Sequence, residues 1–326
     1  MHKVPFPPEL VCLRDKLHCI ALRETQRGLP TDPDSILYHY TGRQGMQGIL
    51  NTGKLWATCL PDLKDKREVE YPETRCVEYL ESRGQEEKDS HKKKFLSVTY
   101  DLASQAREIV HCLENQAAAC LSKKTKLKKQ WQKYGDEGRG YALGFRLQGL
   151  LDVLKSWMRD RNSLTDINWT LRNMVYDRNE QNEILGKLLD TVFACPHFLN
   201  RGSEEMFKTL TGLTAQYFGF AAQTFKCFGF APEHEVRLTI ANHRDLYIAG
   251  TPLLFEERRQ GERTVRYLKI NLRHRERGLV PLSEILIGPE ADDDAPDEII
   301  QLIRDSSFYA RIAPGKIRRM QWDDMQ

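Results

Sequence analysis

Twice along this chain the spacing of apolar residues changes character. A first block carries strand-like alternation and β-formers, from Ile36 to about Leu147, and a second begins after Pro232. Between them, over about 148–226, the apolar residues fall at helical spacing: Leu150, Leu151 and Leu154, then Ile184, Leu188 and Leu189, then Phe207, Leu210 and Leu213. A strand buries every second side chain and a helix buries one stripe. The two strand blocks must therefore meet across a helical segment, which defines an α+β fold. The expected organisation is an N-terminal helical segment over 1–30, then a single domain over 31–326 with a helical insertion at about 148–226.

Within that frame, Glu9 to Arg27 reads as a helix ended by Gly28 and Pro30. Ile36 to Thr41 reads as a strand, and Gly42 to Gly53 carries Met46, Ile49 and Leu50 on one helical face. A helical stretch lies near Tyr71 to Ser82, and the segment from Lys93 to Ser122 holds a short strand followed by a helix. A glycine-rich turn, GDEGRG, leads into a strand from Tyr141 to Leu147. A hairpin turns near Gln260-Gly261. LSEILIGP reads as a buried strand, DEIIQLIRDS as a helix, and ADDDAPDE as an acidic surface loop.

Size and charge exclude several classes. With 326 residues, 40% of them apolar, the chain can bury a substantial core. A mean hydropathy of -0.57, and no apolar run near the ~20 residues that span a bilayer, argue against a membrane protein. Charges interrupt the N-terminal apolar segment, so it does not read as a secretory signal, and the expected compartment is the cytoplasm. Net charge is only +3, from 49 basic and 46 acidic residues, which is no nucleic-acid footprint by itself. The basic residues cluster at His91–Lys94 and Ser122–Lys133, as solvated helix faces or as a phosphate-facing patch. The eight cysteines form no CxxC pair, and Cys195-Pro196-His197 is too close-set to ligate one metal. They read as small core residues, with no metal site.

Three polar constellations stand at strand ends or turns. His39 and Thr41 share one face of their strand. Trp131 and Tyr134, three apart, precede the glycine-rich turn. EHEVR reads as strand, so alternation aims Glu233, Glu235 and Arg237 in one direction. Each has a plain structural reading: a satisfied strand-end histidine, aromatic packing, a salt-bridge ladder. No GxGxxG follows a strand, and P-loop, HExxH and GxSxG motifs are absent.

Taken in order, LYHYTGRQGMQGILNTGKLWAT, CLSKKTKLKKQWQKYGDEGRGYALGF and FAPEHEVRL resemble the three signatures of domain-of-unknown-function family 2971, over about residues 36–290. The chain departs from that pattern at Lys64, where the family carries Asn, and at Leu121, where it carries an aromatic residue. The family is similar in turn to ADP-ribosyltransferases of the His-Tyr-Glu type. That resemblance implies a split mixed or antiparallel sheet of ADP-ribosyltransferase-like type and NAD as substrate. It implies His39 as ribose ligand, with Tyr40 and Thr41 beside it, and Tyr134 as the aromatic on nicotinamide, with Tyr141 and Trp131 behind it. Glu235 is the implied catalytic carboxylate, with Glu233 second, and Arg237 orients Glu235 or contacts a phosphate. Cleavage of the nicotinamide bond builds an oxocarbenium-like cation, which a carboxylate stabilises.

The leading expectation is a bacterial, cytoplasmic NAD-dependent transferase of the glycosyltransferase class. It would modify a nucleic acid or a protein, and such activities suit toxin or phage-defence settings. Two alternatives stay open: a non-catalytic nucleotide- or nucleic-acid-binding module, and a metal-dependent nuclease built on Asp65, Glu68, Glu233 and Glu235. Nothing in the sequence sets the oligomeric state.

Overall fold

The computed structural model describes residues 7–63, 65–104, 116–158, 167–242, 255–309 and 314–325. The helices longer than one turn are α1 (Val11–Gln26), α2 (Arg43–Thr52), α3 (Arg67–Glu86), α4 (Ser90–Ser104), α5 (Lys128–Tyr134), α6 (Leu147–Met158), α7 (Arg178–Phe193), α8 (Glu204–Ala222) and α9 (Ala295–Arg304). The strands are β1 (Ile36–Thr41), β2 (Lys54–Cys59), β3 (Gln116–Ser122), β4 (Tyr141–Arg146), β5 (Ile167–Asn173), β6 (Glu235–Asn242), β7 (Glu256–Gln260), β8 (Arg263–Asn271), β9 (Leu282–Ile287) and β10 (Ile317–Arg319). All ten strands join one open mixed sheet. β10 runs parallel to β9 and the other strand pairs are antiparallel.

Period two sorts the sheet into two buried faces. On β3, Ala117, Ala119 and Leu121 belong to a core closed by α2, α6 and α9, while Ala118 belongs to a second core with the bundle α1, α3, α4, α7 and α8. The bundle core is built from the leucine and phenylalanine spacing of the helical stretch: Ile184, Leu188, Leu189, Phe207, Leu210 and Leu213 are all buried in it. Local chemistry fixes the helix ends. The Asp177 carboxylate accepts from the backbone N–H groups of Asn179 and Glu180 at 2.9 Å, capping α7. Gly53 closes α2 in the left-handed region at φ 62°, and its N–H donates to the Ile49 carbonyl at 2.8 Å.

Three sequence expectations are corrected. A strand, β5, lies inside the stretch expected to be a helical insertion; it pairs with β6, so that stretch contributes to the sheet as well. Between Lys93 and Ser122 the short strand expected over FLSVTY is helical, inside α4, and a strand, β3, comes only at Gln116–Ser122; the helix expected after FLSVTY falls largely on residues outside the described ones. In α4 the residues Phe95, Leu96, Thr99 and Ala103 are buried at helical spacing, which outweighed the β-formers in FLSVTY. The cysteines are not uniformly core residues: Cys59, Cys76 and Cys195 are buried, whereas Cys12, Cys19 and Cys120 are exposed. Lys64 and Cys112 lie outside the described residues. Among those residues no helix is long and apolar enough to cross a membrane.

Candidate functional site

The site begins with an edge of β3 that two strands share and neither completes. On its other edge β3 pairs with β6 along its whole length, from Gln116↔Ala241 to Ser122↔Glu235. On this edge β2 meets only Ala117 and Ala118, and β1 meets only Ser122. Among the described residues, Ala119, Cys120 and Leu121 are left with no strand partner there. β1 and β2 diverge over this gap, and a cleft of about 1050 Å³ opens between them. The Cys120 carbonyl, which a neighbouring strand would otherwise satisfy, pairs instead with His39 Nδ1 at 3.0 Å.

That contact sets the chemistry of His39. Burial moves its imidazole below the usual range, and nearby Arg258 adds to the effect. A neutral ring whose Nδ1–H donates to a carbonyl leaves Nε2 as a hydrogen-bond acceptor. The register of β1 is held at its end by the glycine-rich turn. The Gly140 N–H donates to the Gly135 carbonyl at 2.8 Å, and a Cβ on Gly140 would stand 2.4 Å from the Thr41 carbonyl oxygen. A side chain at this position would push β1 and the turn apart.

At the cleft's inner end lies a buried charge cluster. Lys226 Nζ stands 2.6 Å from Glu235, 2.7 Å from Glu233 and 3.3 Å from Glu68. Arg237 Nε donates to Glu235 Oε1 at 2.5 Å, and the same guanidinium pairs with Glu68. Burial alone would raise the Glu235 pKa, but Arg237 and Lys226 outweigh it and hold the carboxyl well below the usual range. Glu233 accepts from Tyr134 Oη and Lys133 Nζ, both at 3.1 Å. Burial and the Glu233 charge raise the Tyr134 hydroxyl pKa, so it stays a donor. Tyr176 Oη accepts from the Glu235 N–H at 3.0 Å.

His39, Tyr40, Thr41, Tyr134, Glu233 and Glu235 all line the cleft; Trp131, Tyr141 and Arg237 do not. Trp131 is 0% exposed. Its ring packs edge-on against Tyr40, and its Nε1–H donates to the Thr125 carbonyl at 2.9 Å. Tyr141 is buried among core side chains. A stacking aromatic needs an open face, and neither ring has one. Arg237 serves Glu235 and Glu68 from beneath. The shared face expected of Glu233, Glu235 and Arg237 also needs correction. Glu233 ends a 3₁₀ turn, His234 takes a left-handed conformation at φ 45°, and the strand starts only at Glu235. The two carboxylates converge because both reach Lys226.

Lys226 was missed in the sequence, although a signal was present: it is the single charged residue between Lys208 and Glu233. A lone cation in an apolar run is either exposed or holds a buried anion. Of the four carboxylates of the nuclease alternative, Glu68, Glu233 and Glu235 do converge, but on this ammonium; Asp65 pairs with Arg67 instead. Of the basic run, Lys123 is tied to Asn173 and Gly28, Lys133 joins the site, and Lys124, Lys126, Lys128 and Lys129 are exposed.

The family model described as protein of unknown function (DUF2971) matches residues 130–238. The match supports that family over a segment holding most of α5, the glycine-rich turn, Lys226 and the Glu233–Arg237 stretch. No curated protein and no solved structure matches the chain.

Proposed function

We propose that the chain is an NAD-using protein of ADP-ribosyltransferase-like type that modifies a nucleic acid or a protein. The observation that carries this reading is a single cleft, on the bare edge of β3, lined by a neutral His39 at one wall and by Glu235 at its inner end. His39 Nε2 would accept from a ribose hydroxyl. Glu235 stays ionised and still has lone pairs for a second hydroxyl. The chemical step breaks the bond between ribose C1′ and the nicotinamide nitrogen. The bond electrons leave with neutral nicotinamide, the ribosyl cation forms near the carboxylate, and an acceptor nucleophile then bonds to C1′ and releases a proton. Tyr134 remains the aromatic of choice, since it lines the cleft and its hydroxyl anchors Glu233.

One observation favours a second reading, a binding module without turnover. Both Glu235 oxygens are already engaged by Arg237 and Lys226, which reduces the field available to a developing cation. Incubation with NAD labelled in the adenylate half, with mixed protein and nucleic acid, separates the two. A transferase releases nicotinamide and labels an acceptor, while a module binds NAD intact. Glu235→Gln is expected to lower nicotinamide release by about two orders of magnitude with little change in NAD affinity. His39→Ala is expected to weaken both. Undiminished release by a folded Glu235→Gln protein would end the assignment.

A further inference from the structure

The wall of the cleft formed by β2 and β7 holds a cation that no carboxylate among the described residues pairs with. Arg258, in β7, lines the cleft with Lys54, Trp56 and Gln260. Its guanidinium lies 5.1 Å from the Trp56 ring centroid and 5.6 Å from that of Tyr267. The two rings are themselves in contact, with centroids 4.5 Å apart. Arg258 Nε is shielded from solvent and has no hydrogen-bond partner. Among the described residues no carboxylate pairs with Arg258. The nearby acids are committed elsewhere: Asp62 to Arg266, Asp65 to Arg67, and Glu256 to Lys269 and Tyr267. Arg258 and His39 both line the cleft, so the two residues face a common space.

An arginine stacked on two aromatic rings has a fixed plane and limited hydration. That is the state in which its fork of N–H groups best binds a planar or tetrahedral oxyanion. A buried Nε–H without an acceptor has a free-energy reason to recruit one. We propose that Arg258 is the phosphate-binding residue of the cleft, taking a pyrophosphate or phosphodiester oxyanion while Trp56 holds its guanidinium in place. The inference rests on the reading of the cleft as a nucleotide site, and it adds the wall on which the phosphate lies. The same oxyanion chemistry occurs in a free dinucleotide and in a nucleic-acid backbone.

Calorimetry on the full chain distinguishes these sources. The probes are NAD, nicotinamide riboside (which has the ribose and ring but no phosphate) and a short single-stranded oligonucleotide. Arg258→Gln is expected to weaken NAD binding about tenfold or more, the scale of a hydrogen bond to a charged group, and to leave nicotinamide riboside unchanged. Arg258→Lys is expected to recover part of the loss, because it restores the charge without the fork. Unfolding midpoints for both variants establish that each is folded. Unchanged NAD affinity in folded Arg258→Gln overturns the proposal while the NAD reading stands. If the unmodified protein ignores NAD but binds the oligonucleotide, and Arg258→Gln abolishes that, the phosphate site stands and the NAD reading falls. Binding of none of the probes by the unmodified protein overturns both.

Discussion

Two charge clusters adjoin the cleft, built from similar residues in different surroundings. At the inner end, Glu68, Glu233 and Glu235 close around Lys226 and Arg237, with Lys226 only 3% exposed and Glu235 5%. In the outer cluster Arg43, which lines the cleft at the start of α2, pairs with Asp292 at 2.7 Å, Glu298 at 3.0 Å and Asp294 at 3.7 Å. There Arg43 is 42% exposed and Asp292 70%. In water an ion pair contributes little, because solvent already stabilises each charge. Out of water the charges have only each other, so losing one partner is costly even where the intact pair adds little net stability. The inner cluster is thus the brittle part of the molecule and the outer one a tolerant clasp between α2 and the acidic loop before α9.

Lys226→Met offers the strongest way to break this contrast. It keeps the side-chain length and removes the ammonium on which three carboxylates converge. The expected loss is about 3–5 kcal/mol of unfolding free energy, the scale for an orphaned buried charge, read from urea denaturation. Pairing it with Glu235→Gln should recover part of the loss, since the two residues touch and their effects are not additive. A Lys226→Met protein as stable as the unmodified chain would show that the inner carboxylates are hydrated after all.

Acid sharpens the comparison at the inner end. The folded-state pKa of Glu235 is depressed below its ordinary 4.5. Below pH 4.5 the unfolded chain therefore binds more protons at this residue than the fold does. The stability Glu235 contributes is fully present above pH 4.5 and is lost as pH falls towards the folded value. A shallower loss should begin below pH 6.5. There His18, His39 and His234, all lowered by burial, stay neutral in the fold and take protons when unfolded. Unfolding midpoints measured from pH 8 to 3 should show both limbs, and Glu235→Gln should flatten the lower one alone.

The same contrast explains what could be read from the sequence. The strand ILYHYT, the helix closed by Gly53, the hairpin at Gly261 and the bundle leucines follow from spacing and turn chemistry, which are local. His39, Tyr134 and Glu235 were legible as candidates because each stands at or within two residues of a strand or helix end. The β3 edge was not legible, because it depends on β1 and β2 both stopping short along one neighbour, a property of pairing across the chain. β5 was missed because INWTLRN is short and flanked by helices, so its pairing with β6 overrode the helical surroundings. Arg172 shows the limit most clearly. It sits in β5 opposite Arg237, donates to the Phe220 carbonyl at 2.9 Å, and its pKa falls to about 9 through burial and the Arg237 charge. No sequence period marks a buried arginine held by a carbonyl instead of a carboxylate.

The smallest expected effect belongs to the outer cluster, and it is the control for the whole contrast. Arg43→Met removes the one cation that Asp292, Asp294 and Glu298 share. Glu298 keeps a hydrogen bond from Gln47 Nε2 at 2.5 Å, and the two aspartates are open to water, which replaces the lost partner. The backbone of the acidic loop stays tied by Arg319, which donates to the carbonyls of Ala291 and Asp292 at 2.5 and 2.7 Å. The unfolding midpoint should therefore move far less than in Lys226→Met. What shift there is should shrink in about 0.5 M salt, where exposed charges are screened over a few ångströms. The Lys226→Met loss should persist in the same salt, because ions do not enter the buried cluster. Equal salt sensitivity in the two variants would mean that solvent reaches both clusters, and the distinction between a brittle cluster and a tolerant one would fail.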